Sequence, residues 1–120
     1  SYDELPFYLQ KCILYCSIFP DDHQFISSEL VCIWISQGFV KCSHSTETLE
    51  EMGRNYLTDL LNSGFIEQVE TRDPTLGDKT FYVMPALMHD LARLVSGTEF
   101  AIIDDLAYRE VLQLYAICQF

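Results

Sequence analysis

The chain has 120 residues, 49% of them hydrophobic, and its 18 acidic and 7 basic side chains give a formal charge of −11. This length and hydrophobic content support one folded domain with a buried core and argue against intrinsic disorder. The negative charge argues against nucleic-acid binding, because affinity for phosphate backbones comes largely from Lys and Arg. No apolar run reaches the roughly 18 residues of a membrane span.

The first predicted helix covers about residues 6–18, where apolar side chains recur at helical spacing. Cys12 and Cys16 lie one turn apart on its apolar face. A metal site would need a second matching pair, which the sequence lacks, so both thiols are expected in the core. The five cysteines of the chain also lack the spacing of a disulfide framework, which favours a reducing, cytoplasmic environment.

Two more helices are predicted after the first. The second covers about residues 28–37 and is expected to bury Trp34 against the first or third helix. The third covers about residues 48–63 and has the clearest helical spacing of apolar residues. Both helices have recognisable start and end signals. Ser27 or Ser28 is expected to cap the start of the second helix, and Gly38 to end it. A Ser/Thr cap within residues 45–48 is expected to start the third helix, and Gly64 to end it.

Two strand-like runs follow the helices. Residues 65–70 and 80–84 are predicted strands, and residues 71–79, which include a proline and a glycine, are predicted to form the tip of a hairpin. A further helix is predicted from about residue 86. Three helices followed by a hairpin is the order of a winged-helix domain, so the predicted fold class is mainly α with a β-hairpin.

Winged-helix domains ordinarily suggest DNA binding, with the third helix in the major groove. In this chain, that helix and the residues just before it contain Glu47, Glu50, Glu51 and Asp59 against the single basic residue Arg54. Such a surface repels a phosphate backbone. DNA binding therefore remains only as an alternative, and contact with a protein or a small ligand is favoured.

His89 and Asp90 interrupt an otherwise apolar run at the start of the last predicted helix, shortly after Pro85. Free N–H groups and the macrodipole make a helix start suitable for an anion. A histidine there can donate to a phosphate oxygen, and the adjacent aspartate can fix the backbone or the imidazole. The alternative is a surface helix on which both side chains are merely solvated. A catalytic His–Asp pair with a cysteine nucleophile is not expected, because neighbours on a helix diverge by about 100°.

The chain changes character after Gly97. Residues 100–103 are strand-like, and residues 106–120 are apolar on most sides of a predicted helix. An apolar segment of this kind requires a partner surface, so the chain is expected to self-associate. The expected division is a winged-helix domain over residues 1–97 and a linker or tail over residues 98–120. Without an initiator methionine, the chain is expected to be a piece of a longer protein.

Five stretches follow one another along the chain: Ser-Tyr-Asp-Glu-Leu-Pro at 1–6, Cys-Ile-Leu-Tyr-Cys-Ser-Ile-Phe-Pro at 12–20, Trp-Ile-Ser-Gln-Gly-Phe at 34–39, Tyr-Leu-Thr-Asp-Leu at 56–60 and Met-His-Asp-Leu at 88–91. Together they resemble the winged-helix part, the second ARC subdomain, of the NB-ARC module of plant disease-resistance receptors. These are intracellular receptors with a nucleotide-binding domain and leucine-rich repeats, and the resemblance is to their coiled-coil class. Several motifs in one order are more specific than any one of them.

The resemblance implies a switch controlled by the bound nucleotide. In the family, ADP lies between an upstream nucleotide-binding domain and the winged helix, so His89 would contact the β-phosphate and Asp90 would support that geometry. Exchange for ATP would release the winged helix and let receptor protomers assemble. The implied partners are the intramolecular nucleotide-binding domain, the leucine-rich repeats and other protomers, with neither DNA nor a membrane among them.

The sequence departs from a complete nucleotide site. It contains no G-x-x-x-x-G-K-[ST] phosphate loop and no acidic Walker-B strand, which supply the main phosphate and Mg²⁺ contacts. The chain alone is therefore expected to be no enzyme, to hold no metal and to carry no bound nucleotide. ADP or ATP is expected only in the full-length receptor, where His89 and Asp90 would complete one side of the site.

Overall fold

The computed structural model describes residues 2–41, 46–75 and 77–96. In chain order, these ranges contain a short 3-10 helix at Tyr2–Glu4, α1 (Phe7–Cys16), α2 (Ser27–Ser36), α3 (Leu49–Asn62), β1 (Glu67–Asp73), β2 (Gly77–Val83) and α4 (Ala86–Ser96). The two strands form one antiparallel sheet. This arrangement confirms the predicted winged-helix fold, mainly α with a β-hairpin. The tail predicted for residues 98–120 lies outside the described residues.

The core is built from α1, α2, α3 and the segments that join them. Trp34 is fully buried, as predicted, and Ile13 and Leu60 are also closed to solvent. Burial of a large apolar side chain contributes about 1.5–3 kcal/mol relative to exposure, so such positions stabilise the fold strongly. Cys12 and Cys16 lie in the same core, which confirms the prediction for both.

Helices α2 and α3 approach each other closely at Gly53. A Cβ atom at this position would lie 2.7 Å from Cγ1 of Val31, closer than two carbon atoms pack without strain. Glycine inside a helix costs about 1 kcal/mol relative to alanine. The close contact between the two helices explains why this position nevertheless holds no side chain.

The start of α3 is fixed by its own sequence. The Thr48 hydroxyl accepts a hydrogen bond from the Glu51 N–H at 3.1 Å, and the Glu51 carboxylate accepts one from the Thr48 N–H at 3.2 Å. This reciprocal pair is a capping box, which satisfies two N–H groups that a helix start would otherwise leave unbonded. The predicted cap within residues 45–48 is therefore confirmed at Thr48.

The predicted serine cap of α2 is wrong. The cap position is Ile26, whose side chain makes no capping bond, and Ser27 is already helical. The reason lies in the preceding residue: Phe25 and Tyr82 exchange two backbone hydrogen bonds of 2.8 and 2.7 Å, which form a bridge to the hairpin. This bridge holds the backbone extended as far as Ile26, and the helix begins immediately afterwards.

The hairpin is longer, and its tip shorter, than predicted. Its strands pair from Glu67 with Val83 to Asp73 with Gly77, so they include most of the predicted tip. The polar residues there show no alternation of apolar and polar side chains that would reveal a strand. Phe65 and Ile66 instead precede β1 and donate their N–H groups to the Leu60 carbonyl at the end of α3.

Candidate functional site at the start of α4

The chain passes from β2 into α4 through two apolar residues. Met84 is buried, and Pro85 accepts the first hydrogen bond of the helix, from the His89 N–H at 2.9 Å. Pro85 thus lies just ahead of the helix, which begins at Ala86, close to the predicted start. The N–H groups of residues 86–88 come before that first bond and have no partner within the helix. Together with the macrodipole, they give this end of α4 a partial positive charge.

His89 is only 5% exposed. Its Nε2 atom lies 2.7 Å from the backbone carbonyl oxygen of Phe19. A carbonyl can only accept, so Nε2 carries a hydrogen and donates it. The alternative of a solvated histidine is therefore wrong. The imidazole is held in one orientation, and Nδ1 is the ring nitrogen that this bond leaves for another contact.

Arg93 lies one turn beyond His89 and anchors the same face of α4. Its Nε donates to the backbone carbonyl of Ser17 at 3.2 Å. Ser17 caps the C-terminal end of α1, where carbonyl groups lack helical donors. Two side chains of α4 thus dock onto backbone oxygens just past α1. No sequence motif singled out Arg93, although its spacing of four residues from His89 places both side chains on one helix face.

Asp90 is exposed, unlike its neighbour His89. The two residues therefore do not share an environment, which is the divergence expected of neighbours on a helix. The backbone carbonyl of Phe19 fixes the imidazole of His89, and no sequence pattern indicates this partner. A carbonyl group belongs to every residue, so no motif could have pointed to this one.

The described cysteines give no support to a nucleophile beside His89. Burial raises the pKa of the Cys16 thiol to about 12. Burial also raises the pKa of Cys12 above the usual range of a thiol. Both are therefore protonated at neutral pH, and a thiol is a poor nucleophile compared with a thiolate. Cys32 is disulfide-bonded, which departs from the expectation of reduced cysteines.

The described ranges contain no group of three His, Cys, Asp or Glu side chains arranged to hold a metal ion. None of the helices described is both long enough and apolar enough to cross a membrane.

The surface expected to meet DNA in a winged helix is acidic in this chain. On α3, Glu50, Glu51 and Asp59 are exposed beside Arg54. In the hairpin, the exposed guanidinium of Arg72 lies 4.0 Å from the carboxylate of its cross-strand partner, Asp78. A cation paired in this way adds little attraction for a phosphate backbone. The geometry thus favours the predicted contact with protein or a small ligand over DNA binding.

Comparison with known proteins agrees with the winged-helix fold. A family model described as "Disease resistance protein Winged helix domain" matches residues 18–92. The chain is 34% identical over 97 residues to "Putative disease resistance RPP13-like protein 1" of Arabidopsis thaliana, an alignment that covers 81% of this chain and 8% of that protein. It is 34% identical over 92 residues to "Disease resistance protein RGA2" of Solanum bulbocastanum, covering 77% of this chain and 9% of that protein. The chain thus spans less than a tenth of either relative's length, and it belongs to the winged-helix domain family of plant disease-resistance proteins.

Proposed function

We propose that this domain is the regulatory winged helix of an intracellular immune receptor, and that it holds the receptor's nucleotide switch in its resting state by contacting ADP. The observation that carries the proposal is the fixed orientation of His89 at the start of α4. Its Nε2 is bound to Phe19, so Nδ1 and the N–H groups of residues 86–88 remain for an anion.

The hydrogen bond to Phe19 constrains how His89 meets a phosphate. Since Nε2 already donates to the carbonyl, a donor for the phosphate requires a second proton on Nδ1. The ring in contact with ADP is then an imidazolium, whose positive charge a phosphate group stabilises. Asp90 lies on the exposed side of the same turn, where it supports the charged ring or the backbone of the helix start in the closed receptor.

The domain supplies only one side of the nucleotide site. One hydrogen bond to a charged group contributes about 1.5–3 kcal/mol, whereas even millimolar affinity requires about 4 kcal/mol. The phosphate loop and the Mg²⁺ ligands must therefore come from an upstream nucleotide-binding domain. Replacement of ADP by ATP would move the winged helix away from that domain and permit assembly of receptor protomers.

Two measurements test the proposal. Titration of ADP against the 120-residue chain should show no binding in the micromolar range, whereas the intact receptor should retain ADP through purification. The variant His89→Gln keeps an amide donor for Phe19 but has no ionisable ring, and in the intact receptor it should lose ADP. His23→Gln is the matched control, because His23 pairs with Glu29 outside the proposed site.

Micromolar ADP binding by the 120-residue chain would refute the shared site. Undiminished ADP retention in the His89→Gln receptor would remove His89 from its proposed role. In either case, the acidic surface of α3 leaves protein interaction as the next candidate function, and a gel shift at low salt would test DNA binding directly.

A further inference from the structure

The solvent-facing side of α1 forms one wall of an open groove, called here the α1 groove. It consists of two adjoining cavities of about 440 and 330 Å³, which share Lys11 and Phe39. The aromatic and basic lining of the larger cavity also includes Phe7, Tyr8, Lys41 and Tyr56. The smaller cavity continues along Leu14, Tyr15 and Ile18. The groove thus follows α1 from its first residue to just past its end.

The rings that line the α1 groove are already held by one another. Tyr8 packs on Tyr56 with the ring centroids 4.8 Å apart. Phe39 meets Tyr15 in an edge-to-face contact, with the centroids 5.6 Å apart. Phe7 is 72% exposed, which is unusual for a side chain of this size. Because aromatic pairs of this kind hold each other in place, they lose little freedom when a partner binds, and the lining is suited to anchor apolar side chains.

Lys11 is positioned at the junction of the two cavities by aromatic rings. Its Nζ lies 5.1 Å from the ring centroid of Phe7 and 5.4 Å from that of Phe39, so the ammonium group makes cation–π contacts with both. Within the described part of the chain, no carboxylate lines either cavity, and neither Lys11 nor Lys41 takes part in an ion pair. The α1 groove therefore combines an aromatic lining with two positive charges that have no anion beside them.

This combination stands out in a chain whose formal charge is −11. Other cations are already engaged: Arg72 lies beside Asp78, and Arg93 donates to a backbone carbonyl. At physiological ionic strength, charges more than about 8 Å away are largely screened. The two lysines of the groove, Lys11 and Lys41, therefore decide which ligands are attracted there, and they favour carboxylates over cations.

We propose that the α1 groove binds a short acidic peptide segment of a partner protein, in which an apolar residue stands at each end of a run of carboxylates. The two apolar residues would occupy the two cavities, and the carboxylates between them would face Lys11. Residues 7–18 span about 16 Å along a helix axis, which is the length of about five residues in an extended strand. Small-molecule sites enclose most of their ligand, so an open groove of this length suits an extended peptide better. The contact is separate from any role of His89 with a nucleotide.

Fluorescence anisotropy with a labelled synthetic peptide tests this inference on the full 120-residue chain. The probe is the pentapeptide acetyl-Trp-Glu-Glu-Glu-Leu-amide, which carries two apolar ends and three carboxylates. At an ionic strength of about 0.15 M, it should bind saturably with a Kd below about 1 mM. The same peptide with glutamine in place of each glutamate is the matched control for charge. It should bind at least about fivefold more weakly, because each exposed ion pair contributes up to a factor of about five.

Variants of the chain locate the binding site. Phe7→Ala should weaken binding of the acidic peptide about tenfold, because it removes an exposed aromatic anchor. Lys11→Gln should weaken it up to about fivefold and should leave binding of the glutamine peptide unchanged. Leu87→Ala and Lys79→Gln are the matched controls, since they alter an exposed apolar residue and an exposed lysine outside the groove. Both should bind the acidic peptide with undiminished affinity.

Four results would overturn the inference. Absence of saturable binding up to about 1 mM would show that the groove does not hold such a peptide. Equal affinity for the acidic and the glutamine peptides would show that Lys11 and Lys41 select nothing. Equal losses in Phe7→Ala and Leu87→Ala would place the binding site elsewhere. A dimer in sedimentation equilibrium that Phe7→Ala dissociates would assign the groove to a second copy of the chain.

Discussion

The Nε2 of His89 donates to the backbone carbonyl of Phe19 over 2.7 Å, a contact between residues 70 positions apart in the chain. It joins the first turn of α4 to the segment that leaves α1, and Arg93 adds a second bond to that segment one turn later. If α4 moves away from the rest of the domain, both hydrogen bonds must break; otherwise the segment after α1 must move together with α4. The residue proposed to sense the phosphate is thus also one that positions α4 on the domain.

The starts of α2 and α3 were both predicted to have a side-chain cap, and two substitutions can test how each start is stabilised. Thr48→Ala removes the capping box of α3 and should lower the free energy of unfolding by about 1 kcal/mol. Ser28→Ala alters a residue already inside α2 and should change that free energy by less than about 0.5 kcal/mol. Urea denaturation of both variants measures the difference. Equal losses would mean that Ser28 also caps α2, contrary to the observed cap position at Ile26.

These two helices also show why local structure is predictable from this sequence and long-range contacts are not. The cap of α3 depends on residues three apart, and such a pattern can be read directly. The start of α2 depends on the pairing of Phe25 with Tyr82, which no local pattern encodes. The same holds for the site: the motif identified His89, but its carbonyl partner lies in a distant loop. Burial of His89 was accordingly not foreseen.

The contact between Gly53 and Val31 gives a second stability test. Gly53→Ala gains about 1 kcal/mol of helix propensity, but the new Cβ would lie 2.7 Å from Val31 Cγ1, and overpacking of this kind typically costs 1–3 kcal/mol. We expect a net loss of up to about 2 kcal/mol, the difference between those two effects. Val31→Ala in the same chain should recover part of it. A stabilised Gly53→Ala variant would show that the two helices can move apart without cost.

The buried thiols predict a specific alkaline response. The pKa of Cys16 rises from the ordinary value of 9.0 to about 12 in the folded domain, so the folded state binds this proton more tightly than the unfolded state. Stability should therefore be intact below pH 9 and fall as the pH rises from 9 to 12. Cys16→Ala should show a shallower decline over that range, measured by urea denaturation at each pH. Identical slopes would mean that other groups control alkaline unfolding.

Asp90 is expected to matter for ADP retention in the receptor but not for the stability of the isolated chain. Asp90 is exposed, so Asp90→Val should change the stability of the 120-residue chain by no more than about 0.5 kcal/mol. In the intact receptor, the same variant should weaken the ADP-bound state. A loss of about 2 kcal/mol would shift the ratio of closed to open receptor roughly thirtyfold. The readouts are ADP retention and signalling without the trigger. A variant that unfolds the isolated chain would show that Asp90 acts on the fold instead.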